Sequence, residues 1–223
     1  MAQQLSFDLP ARPALGRDAF FVAPSNALAV AAIDGWRDWV GGKLVLVGPE
    51  GAGKTHLSHV WAAESGAAFV CAKDLANADI PGLTGNPAIV VENASGVAGH
   101  AEDERALFHL HNLALAEGVA LLLTDRNAPA AWQLRLPDLA SRMQATQVAR
   151  LDPPDDALFA AVLVKLFADR QLSVAPNLID WMVRHAERSF QSAQSAVATL
   201  DAAALAEGRD VTRDLARRIL GAG

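Results

Sequence analysis

Short apolar runs recur along the first part of the chain: Leu44-Val45-Leu46-Val47, Ala67-Ala68-Phe69-Val70-Cys71, Ala88-Ile89-Val90-Val91 and Ala120-Leu121-Leu122-Leu123-Thr124. Each has the length of a strand, and turn or polar residues lie near its ends, which predicts β-strands, with a fifth over 145–151. Between them the period changes. From Ser25, a good N-cap, the side chains Leu28, Ala32, Ile33, Trp36 and Trp39 fall near one helical face, predicting a helix to about Trp39 that Gly41-Gly42 ends. Residues 56–64, 103–117 (closed by Gly118) and the short piece 136–142 read as helical, and Pro81-Gly82 with Gly85-Asn86-Pro87 marks a turn-rich interval. At Asp152-Pro153-Pro154 the strands stop: 155–170, 176–187, 190–207 (closed by Gly208) and 212–220 are all helical patterns. Alternating strands and helices followed by helices alone predict an α/β parallel-sheet domain over 19–151 and a small all-helical domain over 152–223. Residues 1–18, interrupted by Pro10, Pro13 and Gly16, are expected to be a flexible tail.

Composition narrows the partners. The chain is 52% hydrophobic and 20% charged, a globular balance with ample core. A net charge of −6 argues against a broad sequence-independent DNA-binding surface, while leaving room for a local basic patch. With one cysteine, Cys71, no disulfide can form within the chain. No apolar run approaches membrane-spanning length and the N-terminus lacks a basic-then-apolar layout, so a soluble, cytoplasmic protein is expected.

The chemistry concentrates in Gly48-Pro49-Glu50-Gly51-Ala52-Gly53-Lys54-Thr55, directly after the first apolar run. This fits G-x-x-x-x-G-K-[ST] in the strand-to-helix setting that the pattern requires. Glycines let successive N–H groups point at phosphate oxygens, Lys54 supplies a charge at the β/γ-phosphates, and the Thr55 hydroxyl holds Mg²⁺. The plain alternative, a Gly-rich turn without a ligand, fits poorly when strand, loop, Lys and Thr are all in register. Glu92, at the end of the third run, faces the Mg²⁺ shell in a loop ATPase of this kind. His109 and His111 are two apart, diverge on a helix and cannot share a metal; His56 and His59 read as packing or solvated residues, and Trp132 as core or interface. In the tail, Gln4-Leu5-Ser6-Phe7-Asp8-Leu9 could seat its spaced apolar side chains in a receptor's pockets, although by composition alone incidental hydrophobics are the plainer reading. Arg142, taken alone, is a surface arginine able to pair with Asp138 one turn earlier.

The order of these pieces resembles the AAA+ ATPase core, specifically the DnaA-like family and its branch of DnaA-homologous regulatory inactivators. The Phe21-Val22 and Ser25-Asn26 segment, Gln4 to Leu9, the Glu92-Asn93 pair and Leu136-Pro137-Asp138-Leu139-Ala140-Ser141-Arg142 carry the likeness, which covers nearly the whole chain. It implies an AAA+ nucleotide domain with a helical lid that binds ADP or ATP with Mg²⁺. The implied nucleotide contacts are residues 48–55, His56, Glu92 and Arg188, with Thr55 and Glu92 toward the metal. It implies that Arg142 is an arginine finger reaching a neighbouring subunit's nucleotide, and that Gln4, Leu5, Ser6, Phe7, Asp8 and Leu9 bind the polymerase sliding clamp. The second implied partner is DnaA, whose ATP hydrolysis the chain would stimulate in trans, lowering replication initiation. Self-association stays open, and neither strong direct DNA binding nor a DNA-binding helix-turn-helix domain is expected. The chain departs from the family pattern in ways that weaken its own hydrolysis. Asn93 stands where a second carboxylate is expected, and an amide cannot take a proton near neutral pH. Gln191 stands at the position of a sensor arginine, with Arg188 one turn earlier; Glu92 replaces the usual Asp, and Asp8 makes the clamp segment less apolar. Two rivals remain at this point: an autonomous ATPase or small-molecule kinase, and an initiator-like or helicase-loading adaptor.

Overall fold

The structure, a computed structural model, describes residues 21–221, so Gln4 to Leu9 lie outside the described residues. Among these, strands β1 (Lys43–Val47), β2 (Ala68–Cys71), β3 (Ala88–Glu92), β4 (Ala120–Asp125) and β5 (Val148–Arg150) form one parallel sheet in the order β2-β3-β4-β1-β5. Helices α1 (Ala27–Asp34), α2 (Lys54–Ser65), the short α3 (Ile80–Thr84), α4 (Ala101–Glu117) and α5 (Pro137–Gln144) accompany the strands. The continuous apolar runs are explained by burial on both faces. Leu44 and Leu46 pack with Val30 and Ile33 of α1 and Leu57, Val60 and Trp61 of α2. Val45 and Val47 pack with Leu107 and Leu110 of α4 and Leu139 and Met143 of α5. Each fully buried aliphatic side chain contributes about 1.5–3 kcal/mol, so the pleat's alternation clamps a helical layer to either face.

The first helix is shorter than its apolar spacing predicts. α1 begins after Asn26 rather than Ser25 and ends at Gly35; Trp36–Asp38 and Val40–Gly42 are 3-10 turns. Trp39 leaves the helix to stack on Trp61 at 5.2 Å between ring centroids, and its indole N–H donates to the Ala32 carbonyl at 2.7 Å. The aromatic spacing thus reflects packing on α2, not a longer helix. Asn26 closes the preceding turn, accepting from Ala23 N and donating to the Phe21 carbonyl, both at 2.8 Å. β5 is also shorter than 145–151, because the end of α5 extends into that stretch: Ala145 N bonds the Ser141 carbonyl and Thr146 Oγ1 donates to the Arg142 carbonyl.

Beyond β5 come α6 (Asp156–Asp169), α7 (Pro176–His185), α8 (Phe190–Glu207) and α9 (Arg213–Leu220). They enclose a core of their own, with Phe159, Leu163, Phe167, Met182, Leu200 and Leu215 buried together. Asp155, Ser189 and Thr212 cap α6, α8 and α9 through side-chain oxygens, each accepting the N–H three residues on. Among the described residues no helix is long and apolar enough to cross a membrane.

Candidate nucleotide site and an outward arginine

The loop between β1 and α2 is held from three directions. Gly48 N donates to the Asp125 carbonyl of β4 at 3.2 Å, and Leu151 N donates to the Val47 carbonyl at 2.7 Å. A side chain at Gly48 would collide with the Leu151 carbonyl, so the close crossing of the loop and the end of β5 requires glycine. At the crook of the loop, Gly51 has φ +74 and lies against Ser189, while its carbonyl accepts the Phe190 N–H at 2.8 Å. The Phe190 ring covers Gly53. Thus the start of α8, far away in sequence, braces the phosphate loop.

Lys54 opens α2, whose first-turn N–H groups have no carbonyl one turn back to bond and carry the helix's positive end. Its ammonium donates to the Gly48 and Pro49 carbonyls at 2.7 and 2.9 Å. Burial lowers the Lys54 pKa, and the Arg126 charge lowers it further against the opposing pull of Asp125 and Glu50. Thr55 is exposed beside it. The loop's donors and this cation suit an anionic polyphosphate. Among the described residues no cluster of three His, Cys, Asp or Glu side chains is arranged to hold a metal.

β4 lies between β1 and β3, so Glu92 ends a strand two places from the loop-bearing one. Asn93 follows in the left-handed region (φ 53) and starts a 3-10 turn over Ala94–Val97. Between the two strands, β4 delivers residues that the sequence reading left without a role. Asp125 is buried and accepts Ser95 N at 2.7 Å and Asn127 N at 3.0 Å, while Arg126 pairs with Glu50 of the loop. The only advance sign of these was the polar string Thr124 to Asn127 after an apolar run.

On the helical side, Arg188 pairs with Asp156 of α6 at 2.6 Å, and Gln191 is exposed on the first turn of α8. His56 is half-buried, and its pKa is lowered by burial first and then by His59 and by Lys165 of α6. His59 stacks on Phe69 at 4.3 Å. Trp132 is buried, its indole N–H donating to the Asn127 carbonyl at 2.8 Å.

Arg142 belongs to a different neighbourhood. It lies exposed in the last turn of α5, its guanidinium 5.3 Å from the centre of the Phe108 ring, and among the described residues it forms no ion pair with Asp138 or any other carboxylate. Its charge reaches Lys43, the first residue of β1, and His111 of α4. Those two meet at 2.7 Å, and burial above all lowers the pKa of both. Lys43 and the loop sit at opposite ends of β1, about 13 Å apart along the strand. α5 itself is fastened by Glu104 of α4, 2% exposed, whose Oε2 accepts from Arg135 N at 3.0 Å and Leu136 N at 2.7 Å, and whose Oε1 accepts from Gly99 N at 2.9 Å. Burial pushes the Glu104 carboxyl up, but these N–H donors outweigh it and hold the pKa below the ordinary value.

No protein-family model matches the chain. Among solved structures, domain III of the Thermotoga maritima replication initiation protein DnaA matches with a TM-score of 0.81 at 18% identity, covering 96% of this chain and 98% of that one. The chain has the DnaA domain III fold. DnaA from Aquifex aeolicus bound to AMPPCP matches at 0.71 and 15% identity, over 86% of this chain and 66% of that one. A replication initiator DnaA bound to AMPPCP and single-stranded DNA matches at 0.72 and 15%, over 89% and 69%. Against those longer proteins the chain spans about two thirds of their length. At such identities the likeness is one of fold: a parallel sheet with helices after it.

Proposed function

We propose that this chain is an Hda-like regulator: a nucleotide-bound AAA+ protein that, tethered to the sliding clamp, promotes ATP hydrolysis by DnaA and so lowers replication initiation. The observation that carries the reading is the placement of Arg142, exposed and without a carboxylate partner among the described residues, at the end of β1 away from the chain's own phosphate loop. A guanidinium in that position serves a neighbour's nucleotide better than its own. Stabilising charge on a transferring phosphoryl group is worth on the order of 10³–10⁵ in rate.

In this reading ADP or ATP with Mg²⁺ sits on residues 48–55, beside His56 and Glu92, and Arg188 exchanges Asp156 for the phosphates. Asn93 stands where a second carboxylate would take a proton from the attacking water, so the chain's own hydrolysis is weak. The helical part over 152–223 acts as a lid, and residues 4–9 of the tail over 1–18 engage the clamp in the cytoplasm. The test is phosphate release from DnaA–ATP with and without this chain and DNA-loaded clamp. Stimulation should need all three components and vanish with Arg142→Ala, while the variant's own nucleotide binding stays nearly intact; unchanged stimulation by Arg142→Ala removes the finger assignment. Deleting residues 1–10 should abolish clamp capture without shifting the melting temperature.

A second reading, an initiator-like DNA binder, is favoured by the likeness to a DnaA bound to single-stranded DNA. It requires affinity for single strands that falls steeply with salt, which a net charge of −6 opposes.

A further inference from the structure

We propose that Glu104 is the positioning residue of Arg142, and that it couples the placement of this arginine to the segment leaving β3 in the chain's own nucleotide site. The inference rests on reading Arg142 as a group that acts on a neighbouring subunit's nucleotide.

A carboxylate 2% exposed is costly unless hydrogen bonds meet its charge, and here they come from two separate segments. Oε2 accepts from Arg135 N and Leu136 N, and Oε1 from Gly99 N and, at 3.1 Å, from Arg135 N as well. Leu136 is the N-cap residue of α5 and offers no side-chain cap of its own. A buried aliphatic residue would fill the same space while leaving the chain free to turn; a carboxylate aims particular amides. The direction of α5, and with it the guanidinium at its far end, is therefore set from α4 at its first turn, in addition to the burial of its own Leu139 and Met143.

The Gly99 bond gives the latch its second side. The stretch from Asn93 to Gly99 leaves the Glu92 end of β3, is pinned midway where Ser95 N donates to Asp125, and closes on Glu104. Asp125 in turn precedes Arg126, the partner of Glu50 in the phosphate loop. One unbroken set of hydrogen bonds and short backbone steps thus runs from the loop that would hold this chain's nucleotide to the helix that carries Arg142. Contiguity alone does not establish coupling, so the experiment measures it.

The full chain is compared with Glu104→Gln, which keeps size but removes one acceptor oxygen and the charge, with Glu104→Asp and with Arg142→Ala. Two readouts are taken: amide hydrogen exchange over 99–100 and 134–144 with and without ADP–Mg²⁺, and stimulation of DnaA–ATP phosphate release. In the parent chain ADP–Mg²⁺ slows exchange at Arg135 and Leu136; in Glu104→Gln exchange there is faster and no longer responds to ADP. Stimulation falls about tenfold or more, as for a misplaced catalytic group, while ADP affinity stays within roughly twofold. If Glu104→Gln does not fold, Glu104→Asp, with its charge kept and its reach shortened, gives the same pattern more weakly. Full stimulation by Glu104→Gln beside lost stimulation by Arg142→Ala overturns the positioning role. A loss that merely tracks the fraction of unfolded protein overturns it too, and indifference of the Arg135 and Leu136 amides to ADP in the parent overturns the coupling. If Arg142→Ala itself stimulates normally, the reading of Arg142 fails instead, and the exchange data still decide whether Glu104 orders the approach to α5.

Discussion

At the Val47 end of β1 the cations are answered from within the chain. Lys54 donates to two loop carbonyls, Arg126 pairs with Glu50, and Arg188 pairs with Asp156. At the Lys43 end, among the described residues, no carboxylate pairs with either cation: Lys43 meets the ring of His111, and Arg142 the face of Phe108. The same strand therefore separates positive charge held inward, around a loop built for phosphate, from positive charge left outward in a chain whose net charge is −6. Charge of the first kind serves the chain's own ligand. In the proposed function, charge of the second kind serves a partner's nucleotide.

The sharpest way to break this comparison is to remove one cation from each end and titrate nucleotide by calorimetry. Lys54→Ala should weaken binding on the order of 30-fold or more, since charge-assisted hydrogen bonds are worth about 1.5–3 kcal/mol each. Arg142→Ala should change it less than about twofold, within the spread of surface substitutions. Equal losses would mean that both arginine and lysine serve one site.

A second substitution tests how the inward end is braced. Gly51→Ala combines a left-handed backbone (φ +74) with a clash against Ser189, and should cost roughly 1–3 kcal/mol, lowering the melting temperature by about 3–10 °C.

Acidification probes the outward end. His111 is buried and its folded pKa lies below the ordinary 6.5, so the folded chain holds it neutral more firmly than the unfolded chain does. That contribution is complete above pH 6.5 and shrinks as the pH falls through and below it. Melting at pH 7 and pH 5 should show a smaller loss in His111→Asn than in the parent, with His56 accounting for part of what remains. Glu104 acts later: its lowered pKa stabilises the fold above its ordinary 4.5 and is lost as the pH falls through the lower folded value. The smallest effect is expected from Asp156→Ala. Breaking this exposed pair should change stability by less than about 0.5 kcal/mol, yet releasing Arg188 should tighten nucleotide binding roughly twofold.

Much of the sheet was legible because parallel strands buried on both faces leave unmistakable apolar runs, as in 44–47 and 120–124. The strand-to-helix setting of residues 48–55 was legible because its glycines and Lys54 act locally. α1 was misjudged because Trp36 and Trp39 keep helical spacing while packing across to Trp61, and spacing does not report which element a ring is touching. The pairings that give each end its electrical character were not legible. Arg126 and Glu50 are 76 residues apart, Lys43 and His111 68, and Glu104 and Leu136 32. Only the folded topology brings them together, and no local pattern announces a partner at such a distance.

The peptide hydrogen bond from Phe190 to Gly51 joins two layers of the molecule that the chain itself connects through Asp152-Pro153-Pro154. Swinging the α6–α9 bundle outward must therefore tug the bend of the phosphate cradle, so that opening and letting go become a single movement. Departure of a bound nucleotide would then be timed by the bundle's detachment and not by the strength of any one phosphate contact. Stopped-flow release that ignored Phe190→Pro, which removes this N–H at the first position of α8, would show the two movements to be independent.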